Sequence, residues 1–88
     1  MEFSDEMLKE MSYVKISKYR TKVMKSLEGE VKIPTVIAKD SEIRSNHISK
    51  VLAELKAREL VECINPEVRK GRLYRLTEKG DEIAKNLE

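Results

Sequence analysis

The apolar residues change period partway along this chain, and that change limits the folds open to it. Ile43, Ile48, Val51, Leu52 and Leu55 fall on one side of a helix predicted from about 45 to 58. Asn46, Lys50, Ala53 and Glu54 lie away from that stripe. Val61 and Cys63 then alternate with Glu62, as in a half-buried strand, and Pro66 ends the pattern. Gly71 marks a turn. From Arg72 to Thr77 the alternation resumes, with Arg72, Tyr74 and Leu76 on one face and Leu73, Arg75 and Thr77 on the other. A long helix followed at once by a β-hairpin is therefore expected.

Upstream, Ser4 can cap a short helix over 4–13. Asp5 and Glu6 suit its N-terminus, and Met7, Leu8 and Met11 give it a partial apolar face. A second helix is predicted from Ser17 to Glu28, stopped by Gly29, with Tyr19, Val23, Met24 and Leu27 at helical spacing. Pro34 suits the first turn of a short helix over 34–39 that buries Ile37 and Ala38. "DSE" at 40–42 interrupts the pattern before the helix at 45–58. Thr77 can cap a last helix, 78–87, bearing Ile83, Ala84 and Leu87, with Gly80 weakening its first turns. Two helices joined by a turn of about three or four residues form a helix-turn-helix unit, and a hairpin after the second makes a winged one. The expected fold is mainly α with a small β-hairpin wing, in a single domain spanning 1–88.

Charge is sorted along the chain. Residues 1–12 carry Glu2, Asp5, Glu6 and Glu10 against Lys9, a net of −3. Residues 43–58 carry Arg44, Lys50, Lys56 and Arg58 against Glu54, and residues 65–76 carry Arg69, Lys70, Arg72 and Arg75 against Glu67, each a net of +3. Clustered positive charge points to a polyanionic partner. Other classes are disfavoured. No run of about 18 apolar residues is present, so no spanning helix and no membrane role are expected. The acidic N-terminus lacks the layout of a signal peptide. One cysteine, Cys63, forms no internal disulfide, fits a reducing compartment and is read as a buried strand residue; a cytoplasmic location follows. Cys63 and the single His47 are too few for a zinc site, so no metal or cofactor is expected. No catalytic motif is recognisable, which argues against an enzyme.

Four stretches together resemble a known group: "SKYRTKVMKSL", "IPTVIAKD", "IRSNHISKVLAELKARELVE" and "KGRLYRLTEKG". The chain resembles winged helix-turn-helix transcriptional regulators, especially small archaeal ones related to the arsenic-repressor and multiple-antibiotic-resistance regulator families. The resemblance covers about residues 17–80. It implies Tyr74 and Leu76 packing inward, a wing that reaches the minor groove or backbone of DNA, and terminal helices that pair two subunits. Two positions depart from the pattern. Relatives often have Gly in the helix-helix turn where this chain has Glu42; a left-handed Glu there costs roughly 1 kcal/mol or more. Relatives often open the recognition helix with Ser or Thr where this chain has Arg44, so Ser45 is an alternative cap.

The chemistry divides into positioning and reading. Arg69, Lys70 and Arg72, in a wing over about 65–72, are expected to displace counterions from phosphates; Arg75 is less well placed. Thr35, at the start of the helix before the turn, is a further phosphate contact through its hydroxyl and nearby backbone N–H groups. Ser45, Asn46, Ser49 and Lys50 occupy the polar side of the recognition helix, about 45–58. Asn can pair with adenine, Lys can donate to guanine, and Ser can hold a base or a phosphate. His47 is a candidate contact or a plain edge residue. Met7, Leu8, Met11, Val14 and Ile16 at one terminus, with Ile83 and Leu87 at the other, offer more apolar surface than a three-helix core absorbs, so a homodimer is expected. The sequence reveals no small-molecule effector. Two competing readings are a winged-helix protein-interaction module and an RNA-binding winged helix. Few aromatics (Phe3, Tyr13, Tyr19 and Tyr74) weaken the RNA reading.

Overall fold

The structure, a computed structural model, describes residues 4–87; Glu2 and Phe3, weighed above, lie outside them. The elements are α1 (Asp5–Lys15), α2 (Lys18–Ser26), α3 (Pro34–Ser41), α4 (Ser45–Ala57), β1 (Val61–Cys63), β2 (Tyr74–Leu76) and α5 (Glu78–Ala84). Three helices begin at hydroxyl caps that the sequence signals. Ser4, Ser17 and Thr77 accept from the backbone N–H of Met7, Arg20 and Gly80 respectively. At α3, Pro34 takes the first helical position and no side chain caps it.

Several boundaries move. α1 runs two residues past the predicted end. α3 continues through Asp40 and Ser41, so "DSE" does not interrupt the helix; it closes it. Glu42 adopts φ 58°, and Ile43 donates its N–H to the Ala38 carbonyl at 2.9 Å while burying its side chain. The same closure ends α4. Glu59 has φ 61°, and Leu60, fully buried, donates to the Leu55 carbonyl at 2.9 Å. In both, the apolar residue after the left-handed Glu anchors the turn in the core. α4 starts at Ser45 with Arg44 at the N-cap, so the alternative of Ser45 as cap is corrected.

β1 and β2 pair antiparallel, Val61 opposite Leu76 and Cys63 opposite Tyr74. β2 is shorter than the alternation suggested because Asn65 replaces the ladder beyond it. Its Oδ1 accepts from the Leu73 N–H at 2.7 Å, and its Nδ2 donates to the Gly71 carbonyl at 3.2 Å. On the other edge, Lys32 exchanges both backbone hydrogen bonds with Tyr74, a bridge the sequence did not signal. This stitches the entry to α3 onto the hairpin.

The core gathers Val14, Val23, Met24, Leu27, Ile37, Ile48, Val51, Leu52, Leu55, Leu60, Val61, Ile83 and Leu87, with Tyr74 and Leu76 packed against it. Each fully buried aliphatic side chain contributes about 1.5–3 kcal/mol. Val14, Ile83 and Leu87 are thus absorbed by the chain's own fold, which corrects the expectation that the terminal apolar residues are surplus. Leu8, 51% exposed, and Ile16, 80% exposed, remain outside. Tyr19 also leaves the predicted apolar stripe and is exposed. Cys63 is half-buried rather than buried, its thiol 3.5 Å from Asn65 Oδ1. Gly80 does more than weaken a helix: a Cβ there would overlap the Leu60 carbonyl oxygen, so glycine lets α5 lie against the chain leaving α4.

Candidate nucleic-acid interface

α4 presents three stripes at about 100° per residue. Ile48, Val51, Leu52 and Leu55 face the core. Asn46, Lys50 and Ala53 point directly away from it, and all three are exposed. The flanks differ. Ser45, Ser49 and Lys56 line the side toward the hairpin; His47, Glu54 and Arg58 line the side toward α1 and α2.

On the hairpin side, Ser49, Leu52, Ala53 and Lys56 share an open cleft of about 330 Å³ with Pro34 of α3 and with Arg72 and Tyr74 of the hairpin. No lining residue comes from α1 or α5. One surface therefore combines the start of α3, the flank of α4 that carries Ser49 and Lys56, and the base of the wing. Tyr74 carries this geometry: its backbone is held by Lys32 on one side and β1 on the other, and its half-buried ring backs the cleft.

The wing is a loop closed on itself. Arg72 Nε donates to the Val68 carbonyl at 2.7 Å, leaving the rest of its exposed guanidinium outward. Gly71 takes φ 73°, which a side chain would resist. Arg69 and Lys70 are exposed and, like Arg44, Lys50 and Lys56, form no ion pair among the described residues. Arg75 is committed elsewhere: its Nε donates to Glu62 Oε2 at 2.8 Å across the hairpin. Strand register accounts for this, since Glu62 and Arg75 are direct partners.

The helix starts add backbone donors. Arg44 caps α4 without a side-chain bond, while the N–H groups of His47 and Ile48 turn back to the Arg44 carbonyl. The exposed Ser45 and Asn46 thus sit at an open, partially positive terminus. Thr35, exposed at the second position of α3, occupies the corresponding place there. His47 stands apart from this group. Its ring lies 5.6 Å from that of Tyr19, and both line a smaller cleft of about 220 Å³ between α2 and α4, which Lys50 borders too. Among the described residues, no three His, Cys, Asp or Glu side chains gather as metal ligands, and no helix is long and apolar enough to cross a membrane.

No protein-family model matches the chain, and no curated protein matches it in sequence. Solved structures do match. The MarR family transcriptional regulator SPO1453 from Silicibacter pomeroyi DSS-3 superposes with a TM-score of 0.70 at 18% identity, over 92% of this chain and 60% of that one. Two structures of a doubly substituted Lactococcus lactis ZitR follow. One, in apo form, has a TM-score of 0.61 at 23% identity and the other 0.60 at 20%; each match covers 92% of this chain, and 64% and 67% of theirs. The chain thus spans about two thirds or less of the length of these proteins. At such identities the likeness is one of architecture: this chain has the winged helix-turn-helix fold of a MarR family regulator.

Proposed function

We propose that this protein is a sequence-specific, double-stranded-DNA-binding transcriptional regulator that works as a cytoplasmic homodimer. The kinship with small archaeal regulators of the arsenic-repressor type belongs to the same reading. The observation that carries it is the shared cleft of α3, α4 and the wing, bordered by Lys56 and Arg72, which have no carboxylate partner among the described residues. Asn46 and Lys50 read base edges in the major groove, with Ser45 and Ser49 on bases or phosphates. Thr35 and the open start of α3 take a phosphate, and Arg69, Lys70 and Arg72 follow the backbone or enter the minor groove. The fold shared with the MarR family transcriptional regulator from Silicibacter pomeroyi supports the same role.

The dimer reading rests on α1. Asp5, Leu8, Lys9, Ser12 and Ile16 share one face, and Leu8 and Ile16 are exposed on it. Antiparallel pairing of two such helices about a two-fold axis sets the acidic first turn of one, Asp5 and Glu6, beside Lys15 of the other. Two recognition helices would then meet successive major grooves, about 34–36 Å apart. The same exposed face is what favours the second reading, a protein-interaction module.

Selection from a random duplex library at 100 mM salt, a concentration of about the physiological order, separates the two. Enrichment of a palindrome supports regulator and dimer together. Absence of enrichment, with only weak duplex binding, favours the interaction module. Sedimentation showing monomer alone at micromolar concentration removes the dimer.

A further inference from the structure

The last two turns of α4 are held from outside the apolar core by one connected set of side chains. Tyr13 of α1 lies between two guanidinium groups. The Cζ of Arg20 is 3.8 Å from its ring centroid and the Cζ of Arg58 is 4.1 Å away. Two groups that close would collide on one face, so they stack on opposite faces, each in a cation–π contact. Each cation is also tied to a carboxylate. Arg20 Nε donates to Glu54 Oε1 at 3.2 Å, and Arg58 Nε to Glu10 Oε1 at 2.8 Å. Arg20 Nη1 donates in addition to the Tyr13 carbonyl at 2.9 Å.

Glu10 closes the set. It is the buried charged residue among the described residues, 8% exposed. Its second oxygen accepts from Lys79 Nζ of α5 at 3.0 Å, and Lys79 also donates to the Arg58 carbonyl at 3.2 Å. Burial would push the Glu10 carboxyl up, but the hydrogen bonds and charges of Lys79 and Arg58 outweigh it and hold the group below its ordinary range. Glu54 and Arg58 stand one turn apart on α4. Side chains from α1, α2 and α5 therefore converge on one flank of this helix. Apolar packing is non-directional and leaves a helix some freedom to roll. Charged hydrogen bonds and a planar stack have fixed directions and remove that freedom.

We propose that Tyr13 and Arg58 are positioning residues for base reading: the guanidinium–ring–guanidinium stack sets the rotation of α4 about its axis, and so the direction in which Asn46 and Lys50 project. The inference rests on the duplex-reading role of α4 given above. Tyr13 and Arg58 also line an open cleft of about 480 Å³ with Leu8, Lys9, Ser12 and Ile16. A second chain seated on α1 would thus touch the stack directly, linking pairing to reading.

The test uses the whole chain with Tyr13→Ala, Tyr13→Phe and Arg58→Lys. Arg58→Lys keeps the charge beside Glu10 but loses the planar stack. Two quantities are measured: the ratio of affinities for a selected and a random duplex at fixed salt, and amide hydrogen exchange along α4. Tyr13→Ala and Arg58→Lys should lower the ratio about 10-fold, the discrimination of roughly one base pair. Affinity for random duplex should not change. Exchange should quicken from Leu52 to Arg58 while Val23 and Met24 stay protected, and Tyr13→Phe should match the unsubstituted chain in both. An unchanged ratio in folded Tyr13→Ala, or exchange that rises evenly across the fold, overturns the proposal. If Tyr13→Ala does not fold, Arg58→Lys decides. If the unsubstituted chain selects no duplex, the DNA reading fails, and the exchange pattern alone decides whether the stack positions α4.

Discussion

The two flanks of α4 use positive charge in opposite ways. Toward α1, three cations are partnered: Arg20 with Glu54, and Arg58 and Lys79 with Glu10. Toward the wing, Lys56, Arg69 and Lys70 have no carboxylate within reach among the described residues, and neither have Arg44 at the start of the helix and Lys50 on its outward face. The first arrangement joins three helices to the fourth. The second adds nothing to folding and costs self-repulsion. Cations kept unpaired on one side of a helix, in a chain that pairs them on the other, are suited to charge that comes from outside.

The comparison makes graded predictions. The largest concerns the unpaired flank. Duplex affinity should fall on the order of 10³-fold between 50 and 200 mM salt, for about six phosphate contacts. Replacing Arg69 and Lys70 together by Ala should weaken all sequences alike and reduce the slope of log affinity against log salt by about two. Binding titrations across a salt series measure both; a flat slope would place these cations outside any interface.

Next comes the seat of the paired flank. Gly80→Ala drives a methyl group into the Leu60 carbonyl and should lift α5 away, carrying Lys79 from Glu10. A loss of about 3 kcal/mol or more is expected in denaturant unfolding, the upper end for overpacking. A variant as stable as the parent would show that α5 is not seated there.

A smaller effect attaches to Glu10. Glu10→Gln leaves two cations without their shared carboxylate and should cost about 1–3 kcal/mol at neutral pH. Because the folded carboxyl titrates below its ordinary value, this contribution is complete above about pH 4.5 and is lost as pH falls through the lower folded value. The stability gap between parent and variant, followed by thermal unfolding, should therefore close on acidification. A gap independent of pH would mean that charge plays no part in the clamp.

The smallest change acts on the backbone. Glu42 and Glu59 both hold the left-handed region. Glu42→Gly and Glu59→Gly should each stabilise the fold by about 0.5–1 kcal/mol, read as a rise in unfolding midpoint. A loss instead would mean the Glu side chains hold something that Gly cannot.

How far the chain could be read from its residues depended on the range of each interaction. Caps at Ser4, Ser17 and Thr77 and the stripe on α4 are local signals, and they placed the helices to within a few residues. Glu42 was anticipated as strained because the resemblance marked its place; Glu59, in the same closure one element later, carried no such mark. The Lys32–Tyr74 bridge escaped because a single paired residue shows no alternation. The clamp escaped for a further reason. Glu10 meets Arg58 and Lys79 across 48 and 69 residues of sequence, and nothing local distinguishes it from the solvated acids around it. The candidate site was readable as a list of exposed polar residues on one helix and one hairpin. That Ser49 and Arg72 share a cleft, while Arg75 is held by Glu62 and His47 turns toward Tyr19, needed the packing.

The most direct measurement is backbone amide shift mapping of the whole chain as a selected duplex is added. The perturbed amides are expected to cluster at Thr35, at Ser45 to Lys50 and at Arg69 to Arg72, with Glu10 and Lys79 little changed. Perturbations centred on α1 and α5, with the wing silent, would contradict it.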